Sequence, residues 1–286
     1  MWLYLAAMLA FATLDALRKA MSASLPVSII VASRYLAFLV IVLAGLRWLG
    51  RTALLHTRHP WLQLTRSTVM VAEAAVFVLA LRYASLADAS AVFALAPIAG
   101  VILAVLLLAE RAQPLTWIAL GVSFAGVVIM LQPTAHSAHV GLWFALLAAL
   151  LYALYGVLTR KVGEHDSTST SFAYMTLIGF VLTVAFVAVQ GPQWHRLTAH
   201  DGVLLGLAAL AAAAGQYLLI HAYNKARAAD LQPYSYFLFA WSVPISIVFF
   251  DEPPAPSAAF GTALVIASGV YLFVLARKRT DQRVPQ

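Results

Sequence analysis

Long apolar stretches separated by short polar ones set the rhythm of this chain. Ten of them can be marked off, at 2–17, 27–46, 66–82, 88–109, 114–131, 140–159, 171–189, 203–223, 231–250 and 257–276. A helix needs about 20 mostly apolar residues to cross the hydrocarbon core of a bilayer. The pattern therefore predicts an all-α, polytopic membrane protein of ten transmembrane helices. Connections are short and leave no room for a soluble domain. The longest, 47–65, holds Arg47, Arg51, Arg58, His56 and His59. The tail 277–286 is polar and is expected to fray.

The polar punctuation repeats. Asp88 and Asp230, Glu110 and Glu252, and Pro114 and Pro256 are each 142 residues apart, and Arg18-Lys19 matches Arg160-Lys161 at the same offset. One shift of half the chain maps its first half onto its second, and such a repeat fixes an architecture before any detail does. The expected division is a first repeat over 1–133, a second over 134–276 and a cytoplasmic tail over 277–286. Five spans is an odd number, so the second repeat must enter the membrane from the opposite side. Inverted repeats with a site near the midplane between them are a transporter design.

Composition narrows the reading. Hydrophobic residues make up 63% and charged residues 10%, against roughly a quarter charged in soluble domains, so this chain could not cover a water-facing surface. The net charge of +7 is strung between apolar runs and forms no basic face, which argues against a nucleic-acid partner. With no cysteine, disulfides, thiolate metal sites and thiol nucleophiles are excluded. No glycine-rich nucleotide loop is present, and no cofactor or metal is called for. The first twenty residues lack a leading Lys or Arg and are interrupted by Asp15, so they read as a mature first span and not as a signal peptide. With the N-terminus inside, the inner segments hold thirteen Lys and Arg and the outer ones four. That bias predicts cytoplasmic termini in the inner membrane.

Few ionisable groups fall within spans, namely Asp15, Arg34, Glu73 and His221. Each costs roughly 2.5–3.5 kcal/mol at a helix centre and so needs a partner, water or a function. At 1.5 Å per residue, Arg34 and Glu73 lie roughly 10 and 14 Å below the outer surface. They serve either as an ion pair, with Asp15 as another partner for Arg34, or as a site in which Arg34 takes a carboxylate and Glu73 an ammonium group or a proton. Gln216, Tyr217, Ile220 and His221 share one side of the eighth span, where His221 is an interfacial histidine, a gate or a relay. Tyr152, Tyr155 and Thr159, and again Tyr234, Phe237 and Trp241, form stripes that serve as packing or as an aromatic cavity wall. Pro97 and Pro244 break the helical hydrogen-bond ladder in spans four and nine, as simple kinks or at a site. Asp88 and Asp230 open spans as caps. Six tryptophans near span ends suit an interfacial belt. Small residues in spans five and ten, Gly121, Gly126, Gly261 and Gly269, permit close packing, with a homodimer through these spans as one use.

The stretch "ALRYASLADASAVFALAP…LLLAERAQPLTWIALGVSFAGVVIMLQP" resembles the EamA domain of the drug/metabolite transporter superfamily, and the second half resembles a second such domain. The resemblance implies ten spans in inverted five-span repeats around a cavity lined by spans one, three, four, six, eight and nine. It also implies export of amino acids or other small metabolites, with choline-like cations, purines and nucleosides, or drugs as alternatives in the same superfamily. One positive and one negative group at similar depth suit a zwitterion. A membrane enzyme would need a nucleophile and base, or a metal cluster, at one depth, and four scattered groups supply neither. A non-transporting membrane subunit is the remaining alternative.

Overall fold

In a computed structural model, residues 2–49, 55–108, 114–130, 136–190, 197–225 and 237–282 are described. They form α-helices and, among the described residues, no strand. The helices are α1 (Trp2–Ser22), α2 (Val27–Leu49), α3 (Pro60–Tyr83), α4 (Leu86–Phe93), α5 (Ala96–Leu108) and α6 (Pro114–Met130). They continue as α7 (His136–Gly163), α8 (Thr168–Gln190), α9 (Ala199–Lys225), α10 (Phe237–Phe250) and α11 (Pro256–Gln282). Among the described residues, six stretches are long and apolar enough to cross a membrane: Val27–Ala44, Pro60–Tyr83, Leu86–Leu107, Val140–Gly163, Thr168–Gln190 and Ala199–Leu219. Phe237–Phe250 and Ala259–Tyr271 are apolar but shorter.

Local chemistry explains where several helices begin and break. Pro60 stands at the start of α3, where a missing amide costs nothing and its fixed φ suits the first turn; the helix thus begins six residues before the expected third span. The fourth run is split at Ala94–Leu95. Pro97 has no N–H to offer the Phe93 carbonyl, and the chain tightens there, with the Leu95 amide donating to Val92 O at 3.1 Å and the Ile98 amide to Leu95 O at 2.9 Å. Pro244, expected to interrupt its span, instead lies inside the continuous helix α10. The tail expected to fray is helical as far as Gln282.

Asp88 was expected to cap α4, but Ser85 does so, its hydroxyl accepting from the Asp88 amide at 2.9 Å. The Asp88 carboxylate is thereby free to accept from the Ala255 amide at 3.3 Å, 167 residues away. Its repeat partner Asp230 lies outside the described residues.

The helices pair across the middle of the chain. α3 packs on α7, α1 on α9, α2 on α8, α6 on α11, and α4 on α10. Shifting by 142 residues turns the α1–α9 pair into the α7–α3 pair and returns the α2–α8 and α6–α11 pairs to themselves. At 1.5 Å per residue α3 is about 36 Å long. Arg82, at its C-terminal end, donates to the carbonyls of Ser22 and Leu25, while Gln63, at the other end, reaches Asp166. Lys19 belongs to the first end, where it donates to Ala84 O at 2.8 Å. Its counterpart Lys161 belongs to the second, close before Asp166.

Large apolar side chains face outward, among them Val40 at 64%, Phe124 at 70% and Val189 at 86% exposed. Trp2, Trp61, Trp117 and Trp143 are exposed near helix ends, as an interfacial belt requires. α6 and α11 use small residues against each other: a Cβ placed on Gly126 would stand 2.8 Å from Gly261 O and 3.2 Å from Val265 Cγ2. A Cβ on Gly121 would meet nothing within 4 Å. Gly126→Ala is therefore expected to lower the unfolding midpoint in detergent by the cost of overpacking, about 1–3 kcal/mol, while Gly121→Ala leaves it unchanged or raises it. Equal midpoints for the two variants would refute the close α6–α11 contact.

Candidate functional site

Three helices of the first half bring four charged side chains together. α1 supplies Asp15 and Arg18, α2 supplies Arg34 and α3 supplies Glu73; their relative exposures are 7%, 4%, 7% and 4%. Arg18 Nη1 donates to Asp15 Oδ1 at 3.0 Å, a pairing one turn apart on the same helix. Arg34 and Glu73 make no ion pair with any described residue, yet each lies close enough for its charge to act on the other and on the Asp15–Arg18 pair. Of the ion pairs the sequence suggests, Arg34–Asp15 and Arg34–Glu73, neither forms. Asp15 takes Arg18 because i,i+3 neighbours share a helix face.

Arg18 is the residue the sequence reading misplaced. It was counted as a connecting charge at the outer flank of the first span, but α1 runs to Ser22 and keeps Arg18 inside. Arg66, one of the thirteen inner charges although it opens the third apolar run, is likewise a buried α3 residue at 2% exposure. The signal that could have found Arg18 is its spacing of three from Asp15.

Aromatic side chains wall the cluster. The Arg34 guanidinium lies 5.2 Å from the Phe38 ring centre and 5.9 Å from that of Tyr35, within cation–π range. Tyr35 is fully buried, and its ring rests on Gly179 of α8, where any Cβ would collide with it. Tyr155, on α7, donates its hydroxyl to Met175 Sδ at 3.4 Å and lies 5.4 Å from the Arg66 guanidinium. An aromatic run of Phe77, Phe93, Tyr152 and Tyr155 passes the α4–α5 break beside Pro97.

The other candidates stand apart. His221 Nδ1 bonds the Tyr217 carbonyl of its own helix at 3.0 Å, with the two rings 4.1 Å apart. Among the described residues, Gln216, Tyr217, His221 and Trp241 share no hydrogen bond, ion pair or ring contact with the charged quartet. Tyr217 is exposed and Trp241 is 37% exposed. Tyr234 lies outside the described residues.

Polar contacts between the halves close both ends of the bundle. At one end Lys19 Nζ meets Glu252 Oε1 at 3.2 Å, and Ser246 Oγ accepts from the Ala87 amide and donates to Glu252 O. Asp251, beside that contact, has φ +53, a left-handed conformation that aspartate tolerates better than most residues. At the other end Asp166 accepts from Thr57 Oγ1, from Gln63 Nε2 at 2.8 Å and from the Arg58 amide at 3.4 Å. Arg66 there bonds Gln63 Oε1, Thr159 Oγ1 and Ser171 O.

A bundle of apolar helices with exposed apolar faces and a buried, charged and aromatic centre defines a polytopic membrane protein. The chain belongs to the EamA-like transporter family, whose model matches it twice, over residues 1–132 and 139–275. It is similar to the riboflavin transporter of Brucella anthropi, 29% identical over 87% of this chain and 88% of that one. It is similar also to the riboflavin transporter of Rhizobium johnstonii, 27% identical over 84% and 78%. The S-adenosylmethionine uptake transporter of Rickettsia bellii is 22% identical over 86% and 83%. A solved crystal structure with 19% identity shares the fold at a TM-score of 0.66, covering 97% of both chains. The family and these relatives are transporters and not enzymes, and this chain is a multi-pass membrane transporter for a small molecule.

Burial pushes the Asp166 carboxyl up, but the hydrogen bonds from Thr57, Gln63 and the Arg58 amide outweigh it and hold the group below the ordinary aspartate value. A carboxylate depressed in the folded state stabilises fully above its unfolded value, about 3.9, and that contribution is lost as pH falls through the folded value. Unfolding midpoints of wild type and Asp166→Asn should therefore differ most near neutrality and converge at acid pH. A gap independent of pH would show that the charge of Asp166 contributes nothing.

Proposed function

We propose that the protein is a secondary transporter that carries small zwitterions, amino acids foremost, outward across the bacterial inner membrane by alternating access. The observation that carries this reading is the pair left over in the buried quartet. Asp15 and Arg18 form an ion pair, and Arg34 and Glu73 have no ion-pair partner among the described residues. One free cation and one free anion complement a carboxylate and an ammonium group. Tyr35, Phe38 and Tyr155 offer apolar surface to a side chain.

The architecture proposed is ten spans in two inverted repeats, 1–133 and 134–276. Three features support it: the α1–α9, α3–α7, α2–α8 and α6–α11 pairings, which exchange of the halves preserves, the repeat partners Lys19 and Lys161 at opposite ends of the bundle, and the double match to the family model. Cytoplasmic termini follow from the charge bias. The Lys19–Glu252 and Asp88–Ala255 contacts then join the halves at the outer end, and access from outside requires them to part. The outer faces of α6 and α11 are the proposed contact for a homodimer.

The relatives favour a second reading, uptake of a larger metabolite such as riboflavin or S-adenosylmethionine. Flux into and out of proteoliposomes, measured with amino acids and with those two compounds, separates the readings. Arg34→Ala is expected to cut amino-acid flux by about tenfold to a hundredfold, since a hydrogen bond to a charged group is worth about 1.5–3 kcal/mol. Unchanged flux in a folded variant removes Arg34 from the site. Lys19→Glu and Glu252→Lys should each lower flux severalfold and the double exchange should restore it; failure of the exchange would mean that the pair does not link the halves during transport.

A further inference from the structure

We propose that Arg18 is a second carboxylate-binding residue of the transport site, acting with Arg34 on the acidic end of the solute. The inference rests on the site reading above and extends it to a residue that the sequence places in a flanking segment. Asp15 holds only Nη1 of Arg18. Nε and Nη2, the two donors along the guanidinium's free edge, are buried and have no partner. That edge presents two parallel N–H bonds, the fork that binds a carboxylate bidentately.

The neighbouring orphans are of the same kind. Arg34 Nε and Tyr35 Oη are also buried without partners, and Tyr35 lies within electrostatic reach of Arg34, Glu73 and Arg18. A buried donor without an acceptor forfeits the solvation it had in water. Here four such groups, on two adjacent helices, belong to Arg18, Arg34 and Tyr35. What completes them is an acceptor-rich group of low bulk, which a carboxylate is.

A purely structural Arg18 would need only the nitrogen that meets Asp15, and lysine would serve as well. Lysine keeps the charge and the partner but has no fork. Asp15 then acts as a positioning residue, turning the free edge of Arg18 away from itself.

The test uses the full chain, purified and reconstituted, with thermal shift and flux read in parallel. The probes are L-leucine, L-phenylalanine and L-threonine, their amides, which lack the carboxylate, and the matching acids without the amino group. Wild type should prefer each amino acid to its amide by at least tenfold in apparent affinity. Arg18→Lys should lose most of that preference while remaining folded. The double variant Asp15→Asn/Arg18→Gln, which leaves no unpaired charge behind, should lose it too.

A preference undiminished in Arg18→Lys would overturn the assignment, as would a wild type that responds to no carboxylate probe. If the acids without an amino group bind as well as the amino acids, and Arg18→Lys weakens both, Arg18 keeps its role and the zwitterion reading alone fails.

Discussion

A charge in the middle of a membrane protein must be answered by another charge, and this structure is arranged around that requirement. Four ionisable side chains from α1, α2 and α3 are more than nine-tenths buried, each carrying an insertion cost of roughly 2.5–3.5 kcal/mol if left alone. Two guanidinium groups and two carboxylates cancel in net charge. The helices that carry them must therefore face one another, and the rings of Tyr35, Phe38 and Phe172 pack in sequence beside Arg34. The hydrogen bonds are incomplete, since Arg18 Nε and Nη2 and Arg34 Nε are buried without a partner among the described residues.

The ends of the bundle answer the same requirement with less strain. There, polar groups reach water or the carbonyls at helix ends, so Lys19, Arg82, Gln63 and Arg66 find partners that the quartet lacks. Most of these contacts run between residues more than fifty positions apart, and several join one half of the chain to the other. The break at Ala94–Leu95 and the tight turn at Asp251 lie beside the helices that carry them.

The chain announced much of this. Its apolar runs, the 142-residue repeat and the scarcity of charge led to a helical membrane protein, and Arg34 and Glu73 stood out because each was a charge in an apolar run. Arg18 was missed because it sits next to Lys19 at the end of a run, where a hydropathy count stops; only the extension of α1 to Ser22 brings it inside. Asp88 read as a cap because aspartate commonly caps helices, yet Ser85 lay three residues earlier and was better placed. Pro244 read as a break, but proline weakens a helix by one hydrogen bond, and packing in α10 tolerates that loss where the fourth run did not.

Sequence alone determined the helical class, the membrane setting and the two-fold repeat. Those follow from the cost of exposing backbone polar groups to lipid and from periodicity, both of which are local or additive along the chain. Tertiary structure decided which charges are partners. Pairing depends on the rotation of each helix about its axis and on which helices adjoin, and nothing within a single apolar run specifies either. That is why Asp15 belongs to Arg18, why Arg34 and Glu73 have no ion-pair partner among the described residues, and why Lys19 finds Glu252 from the far half of the chain.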